Sequence, residues 1–292
     1  MSNSALETEL IRHMLAAPSR VYMAGDATPL RELPDLGLSG LDVYAKLENF
    51  GPINAYKWRG AFNAAAEALA QDPNITTFVA ASAGNHAQGL ALSARKLGVM
   101  AEIFMPKSTP MMKQNAVKFH GQDNVRINLV GDTYDEASAA ATEFQANTTG
   151  STFIHPFDDI RTIAGQSTIG SEILSAFQGN DLDYIFVPIG GGGLAAGIGS
   201  YVKFIGAKTK VIGVEGVGQA SMKAAFEAGG PVELSKVSPF CLLIVGTSIL
   251  FVSVTTVVFC KLSMISFLSK AMIDCLSSLL SVCADKLVIQ NS

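Results

Sequence analysis

Residues 184–205 read YIFVPIGGGGLAAGIGSYVKFI, and this stretch decides the fold. The apolar run YIFVPI predicts a strand, the glycines at 190–193 predict a tight turn, and residues 194–205 predict a helix. A strand without alternating polar side chains is expected in a parallel sheet that helices cover on both faces. The stretch therefore predicts a strand–turn–helix unit of an α/β protein.

The same alternation of strand and helix extends from the N-terminus to about residue 240. Strands are predicted at 41–47, 77–82, 101–105, 125–130, 152–155, 184–189 and 211–215. Helices are predicted at 57–70, 86–97, 110–119, 134–146, 165–177 and 194–205. Ser108 and Thr133 are predicted N-caps, and Gly98, Gly121 and Gly206 are predicted to end helices. Strands joined through helices imply right-handed crossovers, so we predict mostly parallel twisted sheets with helices on both faces.

Length and charge narrow the class of protein. A chain of 292 residues can form two domains with sizeable cores. Charged residues make up 16% of the chain, the net charge is −4 and no run of Lys or Arg occurs, so nucleic acid is a poor candidate for a partner. The N-terminus lacks a basic segment followed by an apolar run, and it carries Glu7, Glu9 and Asp26. We therefore predict a cytoplasmic protein, with a plastid or mitochondrial location left open.

The glycine loop between the strand and the helix is a candidate phosphate site. Gly190, Gly191, Gly192 and Gly193 let the backbone curl so that its N–H groups turn inward, and the helix adds its positive N-terminal end. The alternative is a flexible turn without a ligand. No Gly-Lys-Ser/Thr follows, so this is not the loop of a P-loop nucleotidase.

A second loop, SAGNHAQG at residues 82–89, follows a predicted strand and opens a helix. Its backbone amides could receive a carboxylate, while Asn85 could donate to an oxygen of a ligand. Taken alone, the loop favours a simpler interpretation, in which Asn85 caps the helix and His86 lies in its first turn. No metal partner lies near His86, and we predict no metal site.

A third segment, NAYKWRGA at residues 54–61, places Lys57 at the start of a predicted helix. A lysine beside aromatic residues and near the positive end of a helix should have a lowered pKa. A neutral amine is what a lysine needs to form a Schiff base. The alternative, which is commoner, is a surface lysine beside Arg59.

Together, AYKWRGA, SAGNHAQG and GGGGL resemble the fold-type-II (tryptophan synthase β-like) pyridoxal-phosphate enzymes, specifically the threonine dehydratases. The stretches DATPL, VYAKLENFGP, FMPKSTPMMKQNAVKFHG and HPFDDIRTIAGQSTIGSEIL follow the family's order, so the resemblance covers roughly residues 20–240. It implies that Lys57 holds the cofactor, that Tyr56 lies against its ring and that Asn85 bonds its 3′-oxygen. The phosphate would be held by Gly190, Gly191, Gly192, Gly193 and Leu194. The substrate carboxylate would be received by the loop that contains Ser82, Ala83, Gly84 and His86.

The resemblance also implies a reaction. L-Threonine would be dehydrated and deaminated to 2-oxobutanoate and ammonia, which leads to isoleucine, and L-serine would give pyruvate as a side reaction. Racemase-like members of the family usually carry Ser where this chain has Ala83, so a dehydratase is favoured over a serine racemase. The implied partners are a small amino-acid substrate and further copies of the same chain, as a homo-oligomer.

The domain organisation follows from the same resemblance. Residues 1–59 and 152–240 would form a large cofactor-binding domain, residues 60–151 a small domain, and Lys57 would lie where the two meet. Residues 241–292 do not match: all four cysteines lie there, and residues 241–260 carry no charge.

The segment 241–260 is long enough to span a bilayer. It could be a membrane segment, a buried apolar segment or translated non-coding sequence, and the abrupt loss of the family pattern after Phe240 favours the last. We expect it to supply no strand and no partner for the pyridine nitrogen, in which case the chain could be an impaired cofactor-binding remnant.

Overall fold

The computed structural model describes residues 3–33, 42–178, 182–216, 218, 220–230, 232, 234 and 256–259. The helices are α1 Asn3–Val21, α2 Lys57–Gln71, α3 Asn85–Leu97, α4 Met111–Gly121, α5 Tyr134–Asn147, α6 Ile160–Ala176, α7 Gly193–Phe204 and α8 Ser221–Ala228. The strands are β1 Leu30–Glu32, β2 Tyr44–Leu47, β3 Thr77–Ala81, β4 Met100–Met105, β5 Val125–Leu129, β6 Ser151–Phe153, β7 Tyr184–Pro188, β8 Lys210–Val214 and β9 Thr256–Phe259. Short 3₁₀ helices lie at Glu48–Phe50 and Gln122–Asn124.

The first sheet has the strand order β5-β4-β3-β6, and every pair in it is parallel. Successive side chains of β3 point to opposite faces, as the pleat of a strand requires. Phe78 and Ala80 pack with residues of α2 and α3, whereas Val79 and Ala81 pack with residues of α5. Helices therefore cover both faces, which confirms the predicted α/β class.

The second sheet has the order β1-β2-β9-β7-β8 and is mixed. The pair β7–β8 is parallel, whereas β1–β2, β2–β9 and β7–β9 are antiparallel. The prediction of parallel pairing therefore holds fully in the first sheet and for one pair of the second. The difference arises because β1 joins β2 as an antiparallel neighbour and β9 inserts between β2 and β7.

The strand β9 corrects the expectation that residues after 240 add no strand. Its sequence Thr-Val-Val-Phe consists of β-branched and aromatic residues, which favour extended backbone. Tyr44 pairs with Phe259 and Leu47 with Thr256. Residues 241–255 and 260–292, which contain most of the candidate membrane segment and the four cysteines, lie outside the described residues. Across the ranges that are described, no helix combines the length and the apolar character needed to cross a bilayer.

Several predicted helix ends are confirmed, and others shift. Thr133 caps α5 in a reciprocal capping box with Glu136, and Gly98 ends α3 in the left-handed region with φ 72°. The N-cap of α4 is Pro110 and not Ser108, because a proline fixes its own φ just before the first turn.

Besides β9 and the short 3₁₀ helices, the elements α1, β1 and α8 were not predicted, and α6 is longer than expected. The helix α1 carries Pro18 inside it, and β1 is only three residues long. The helix α6 begins at Ile160, ahead of the predicted residue 165, because the Asp159 side chain accepts the backbone N–H of Arg161.

Candidate active site

Lys57 is the first residue of α2. Its Nζ donates to the carbonyl oxygen of Pro156 at 2.7 Å. Among the described residues Lys57 forms no ion pair, and burial lowers its pKa from 10.5 to about 8. The lowered pKa was predicted, but its cause is burial. The alternative of a surface lysine beside Arg59 is wrong, because Lys57 is partly buried and Arg59 is fully buried.

Two aromatic rings flank the amine of Lys57. The Nζ atom lies 5.5 Å from the centroid of the Tyr56 ring and 5.8 Å from that of the Phe157 ring. Burial raises the pKa of Tyr56 to about 12, so its phenol stays neutral. Tyr56 was predicted to lie against a ligand ring, whereas Phe157 was not singled out by sequence.

The glycine loop ends β7 and starts α7. Gly192 is the N-cap of α7 and has φ 85°, a conformation that a residue with a side chain rarely adopts. Gly193 is the first residue of α7, and Leu194 is buried in the core of the second sheet. The first backbone N–H groups of α7 have no partner within the helix, which leaves them available to an anion.

Two other glycines of the loop are needed for a different reason. A Cβ added to Gly191 would lie 2.4 Å from Cγ of Phe157, and a Cβ added to Gly193 would lie 2.9 Å from the carbonyl oxygen of Phe157. Neither residue has a positive φ. The loop therefore packs closely against Phe157, whose ring also lies near the amine of Lys57.

The segment that carries Phe157 is fixed by His155. The Nδ1 atom of His155 accepts the backbone N–H of Asp158 at 2.8 Å and that of Phe157 at 3.4 Å. The His155 and Phe157 rings meet edge to face with centroids 4.8 Å apart. Burial lowers the pKa of His155, which keeps Nδ1 free to accept both bonds.

The loop at residues 82–86 fronts open space. Gly84, and not Asn85, is the N-cap of α3, and Asn85 is its first residue. Ser82 Oγ accepts the backbone N–H of Gly84 at 3.3 Å, and a Cβ added to Gly84 would meet nothing within 4 Å. Ala83 is partly buried against the core of the first sheet. A small ligand therefore has room directly before the amides that open α3.

His86 supports this loop from behind. Its ring is 3% exposed, and Nε2 lies 2.8 Å from the carbonyl oxygen of Ile154, while Nδ1 has no partner. Burial, and after it the charge of Lys57, lowers the pKa of His86 to about 3. The ring is therefore neutral at physiological pH and bonds to the main chain.

A buried group of charges, here called the ion cluster, lies on the other side of the first turn of α2. Arg59 Nε donates to Glu48 Oε2 at 2.8 Å, and its two Nη atoms reach Glu172 at 2.5 and 3.0 Å. Lys46 Nζ lies 3.4 Å from Glu48 Oε1 and 2.5 Å from Glu172 Oε2. Thr28 Oγ1 bonds Glu48 and Lys46.

Sequence reasoning missed the ion cluster, although the quoted stretches supply its members. DATPL contributes Thr28, VYAKLENFGP contributes Lys46 and Glu48, AYKWRGA contributes Arg59, and HPFDDIRTIAGQSTIGSEIL contributes Glu172. The available signal was the charge of Lys46 and Arg59 within apolar segments, since buried charges occur paired.

The arrangement around Lys57 fits pyridoxal phosphate. A partly neutral amine suits an aldehyde, the amides before and within α7 suit a dianionic phosphate, and the flanking aromatic rings suit a planar ring. Leaving Gly84 without a side chain keeps space for an amino acid.

Comparison with known proteins gives the same result. The family model for pyridoxal-phosphate dependent enzymes matches residues 21–251, and so continues past Phe240. The chain is 43% identical over 237 residues to the biosynthetic L-threonine dehydratase of Corynebacterium glutamicum, covering 80% of this chain and 54% of that protein. It is 46% identical over 201 residues to that of Lactococcus lactis subsp. lactis, covering 68% and 48%. The chain thus spans about half the length of the curated relatives it matches.

Solved structures agree with the sequence matches. The processed form of threonine deaminase isoform 2 from Solanum lycopersicum has a TM-score of 0.70 at 38% identity, covering 80% of this chain and 66% of that one. Serine racemase from maize has a TM-score of 0.68 at 27% identity, covering 78% and 68%. The fold around the site is therefore shared by proteins of more than one reported activity.

Proposed function

Because the chain belongs to the family of pyridoxal-phosphate-dependent enzymes, we propose that it is an ammonia-lyase that converts L-threonine to 2-oxobutanoate and ammonia. L-Serine, converted to pyruvate and ammonia, is the side substrate. The observation that carries the proposal is the contact of one ring, Phe157, with both the glycine loop and the amine of Lys57. Two relatives that match 80% and 68% of this chain are named threonine dehydratases, which supports the same reaction.

In this proposal Lys57 binds the cofactor covalently through Nζ. The amides of Gly190, Gly191, Gly192, Gly193 and Leu194 hold the phosphate. Asn85 bonds the 3′-oxygen, and Tyr56 covers the ring. When bound, the cofactor supplies an electron sink that stabilises negative charge at the α-carbon of the substrate.

The substrate carboxylate is received by the amides of the loop that contains Ser82, Ala83 and Gly84, with His86 holding the loop in place. Lys57 would be released when the amino group of the substrate takes its place on the cofactor. The free amine, whose pKa of about 8 leaves a neutral fraction at physiological pH, then accepts the α-proton. The same amine then holds a proton near the β-hydroxyl, which leaves as water. Hydrolysis of the resulting enamine returns that water, so threonine yields one 2-oxobutanoate and one ammonia.

Racemisation is a second candidate, favoured by the similarity to maize serine racemase. It requires an acid on the face of the α-carbon opposite Lys57. Ala83 offers no hydroxyl there, and its side chain packs against the core of the first sheet. We therefore place elimination first. Chiral analysis of the serine left after partial turnover tests the order, since abundant D-serine would reverse it.

The proposal is tested by incubating the full chain with pyridoxal phosphate, reducing with borohydride and mapping the modified residue by mass spectrometry. We expect the adduct on Lys57 and formation of a 2-oxo acid from L-threonine. Lys57→Ala should abolish both, while Lys203→Ala, at an exposed lysine, should change neither. An adduct on another lysine contradicts the assignment, and an adduct on Lys57 without turnover identifies a cofactor-binding remnant.

Two glycines test the position of the substrate. A Cβ added to Gly84 or to Gly199 meets nothing within 4 Å, so neither Gly84→Ala nor Gly199→Ala disturbs packing. We expect Gly84→Ala to raise the KM for L-threonine about tenfold, roughly 1.4 kcal/mol, while the Lys57 adduct still forms. Gly199→Ala should leave KM unchanged. Equal KM values in both variants would place the substrate elsewhere.

We propose further that the enzyme is a cytoplasmic homo-oligomer whose site lies where residues 1–59 and 152–240 meet residues 60–151. The family resemblance supports this, and plastid and mitochondrial locations are the alternatives. Light scattering of the purified chain tests the assembly, since a monomer that retains full turnover would contradict it.

A further inference from the structure

We propose that Phe157 is a positioning residue that couples the phosphate loop to Lys57, so that the loop and the amine are held in register by one side chain. The inference rests on the proposed function for the identity of the ligand. Phe157 belongs to the stretch HPFDDIRTIAGQSTIGSEIL, which precedes and forms α6.

The first contact is with the loop. An added Cβ at Gly191 would lie 2.4 to 2.7 Å from three ring atoms of Phe157, and one at Gly193 would lie within about 3 Å of three of its atoms. The curvature of the loop is therefore fixed from two sides. Gly192, with φ 85°, sets it from within the backbone, and Phe157 sets it from outside.

The second contact is with the amine. The Phe157 ring lies 5.8 Å from Nζ of Lys57, and the carbonyl group of the preceding residue, Pro156, accepts a hydrogen bond from the same atom. An aromatic face attracts a charged ammonium, but it also excludes water, which disfavours the charge. Since burial is the cause of the lowered pKa of Lys57, exclusion of water is the larger effect.

The segment is anchored independently of both contacts. His155 fixes the backbone at Phe157 and Asp158, and Asp159 caps α6 while pairing with Arg161 at 2.6 Å. Phe157 is therefore held by its own segment, and a change in its ring reaches the loop and the amine without dismantling their other supports.

The first arm of the test measures Lys57 in the full chain without cofactor. Trace acylation followed by mass spectrometry gives the pH midpoint of reactivity of each lysine. We expect a midpoint near pH 8 for Lys57, and Phe157→Leu should raise it by one pH unit or more because water reaches the amine. Phe157→Met provides a second variant if the first does not fold.

The control for this arm is Phe153→Leu. The Phe153 ring packs in the core of the first sheet, and its centroid lies 6.3 Å from that of the His155 ring on the same segment. The proposal is overturned if the acylation midpoint of Lys57 moves equally in both variants or in neither. A merely structural role of Phe157 would change the stability of the protein without changing the midpoint of Lys57 specifically.

The second arm measures the affinity for pyridoxine 5′-phosphate, which lacks the aldehyde and cannot bond to lysine. Gly191→Ala should weaken binding tenfold or more, because its methyl group meets the Phe157 ring. The double variant Gly191→Ala/Phe157→Ala should bind the probe at least threefold more tightly than Gly191→Ala alone. The coupling is overturned if the double variant loses the sum of the binding free energies that the two single variants lose. If the unaltered chain does not bind the probe, the proposed function fails, while the acylation midpoints still decide the role of Phe157 at Lys57.

Discussion

Lys46 and Lys57 are both shielded from water, but the surroundings of Lys46 stabilise a positive charge and those of Lys57 disfavour it. Lys46 is 1% exposed and lies in the ion cluster between two carboxylates, Glu48 and Glu172. Lys57 faces a carbonyl group and two aromatic rings, with a pKa lowered to about 8. A buried charge with partners is a structural element, whereas a buried amine without a counter-charge is available for chemistry.

The two environments lie on opposite sides of one helical turn. Arg59 follows Lys57 by two residues, so its side chain points away from that of Lys57 and into the ion cluster. The cluster thereby anchors the start of α2, whose N-cap residue Tyr56 provides no side-chain bond. The reactive lysine is held in place by charges that it does not itself contact.

The largest expected difference between the two regions is in stability. Lys46→Met leaves Glu48 and Glu172 short of a counter-charge in the interior, which should cost about 3–5 kcal/mol of unfolding free energy. Lys57→Met removes one hydrogen bond and no ion pair, and it also removes the cost of burying a protonated amine, so we expect no net loss of unfolding free energy at pH 7. Urea unfolding of the two variants measures both values, and equal losses would contradict the comparison.

The next effect concerns His86, a neutral group buried beside Lys57. Its folded-state pKa of about 3 lies below the unfolded value of 6.5, so the unfolded chain binds the extra proton first. Stability is therefore lost as the pH falls from about 6.5 toward 3. Relative to His86→Gln, the unaltered chain should lose about 3 kcal/mol between pH 7 and pH 4. If the difference in unfolding free energy between the two proteins were the same at pH 7 and pH 4, the pKa of His86 would not be lowered by folding.

The smallest effect is the pH dependence that Lys57 contributes. Its folded-state pKa of about 8 lies below the ordinary 10.5, so burial of the protonated amine destabilises the fold. This cost is full below pH 8 and disappears as the pH rises to about 10.5. Relative to Lys57→Met, the unaltered chain should gain about 2 kcal/mol between pH 7.5 and pH 9.5. If the difference in unfolding free energy between the two proteins did not change with pH, Lys57 would be exposed to water in the folded chain.

Local features of the site could be predicted from sequence because each is encoded in one short stretch. The turn at Gly192 and the N-cap at Thr133 depend on neighbouring residues alone. The lowered pKa of Lys57 was predicted in direction, although the helix dipole was given as a cause and burial is the one that acts.

Features that depend on contacts between distant stretches could not be predicted. The glycine loop was predicted to curl around a phosphate, but the sequence does not show that Gly191 and Gly193 have ordinary backbones and that contact with Phe157 is what excludes a side chain there. The ion cluster requires Lys46, Arg59 and residues of α6 to meet. The place of β9 likewise follows from its partners in the sheet and not from any pattern in its surroundings.

The position of β9 also sets an order of assembly during synthesis. Every strand of the first sheet has been made once Phe153 leaves the ribosome, and its neighbours are close along the chain. In the second sheet Leu47 pairs with Thr256, so a loop comprising most of the protein must close before β2 and β7 gain their shared neighbour. Until then both strands present open edges, which invite pairing with other chains. We expect insertion of β9 to be the slow step of folding and the stage at which the nascent protein most needs a chaperone.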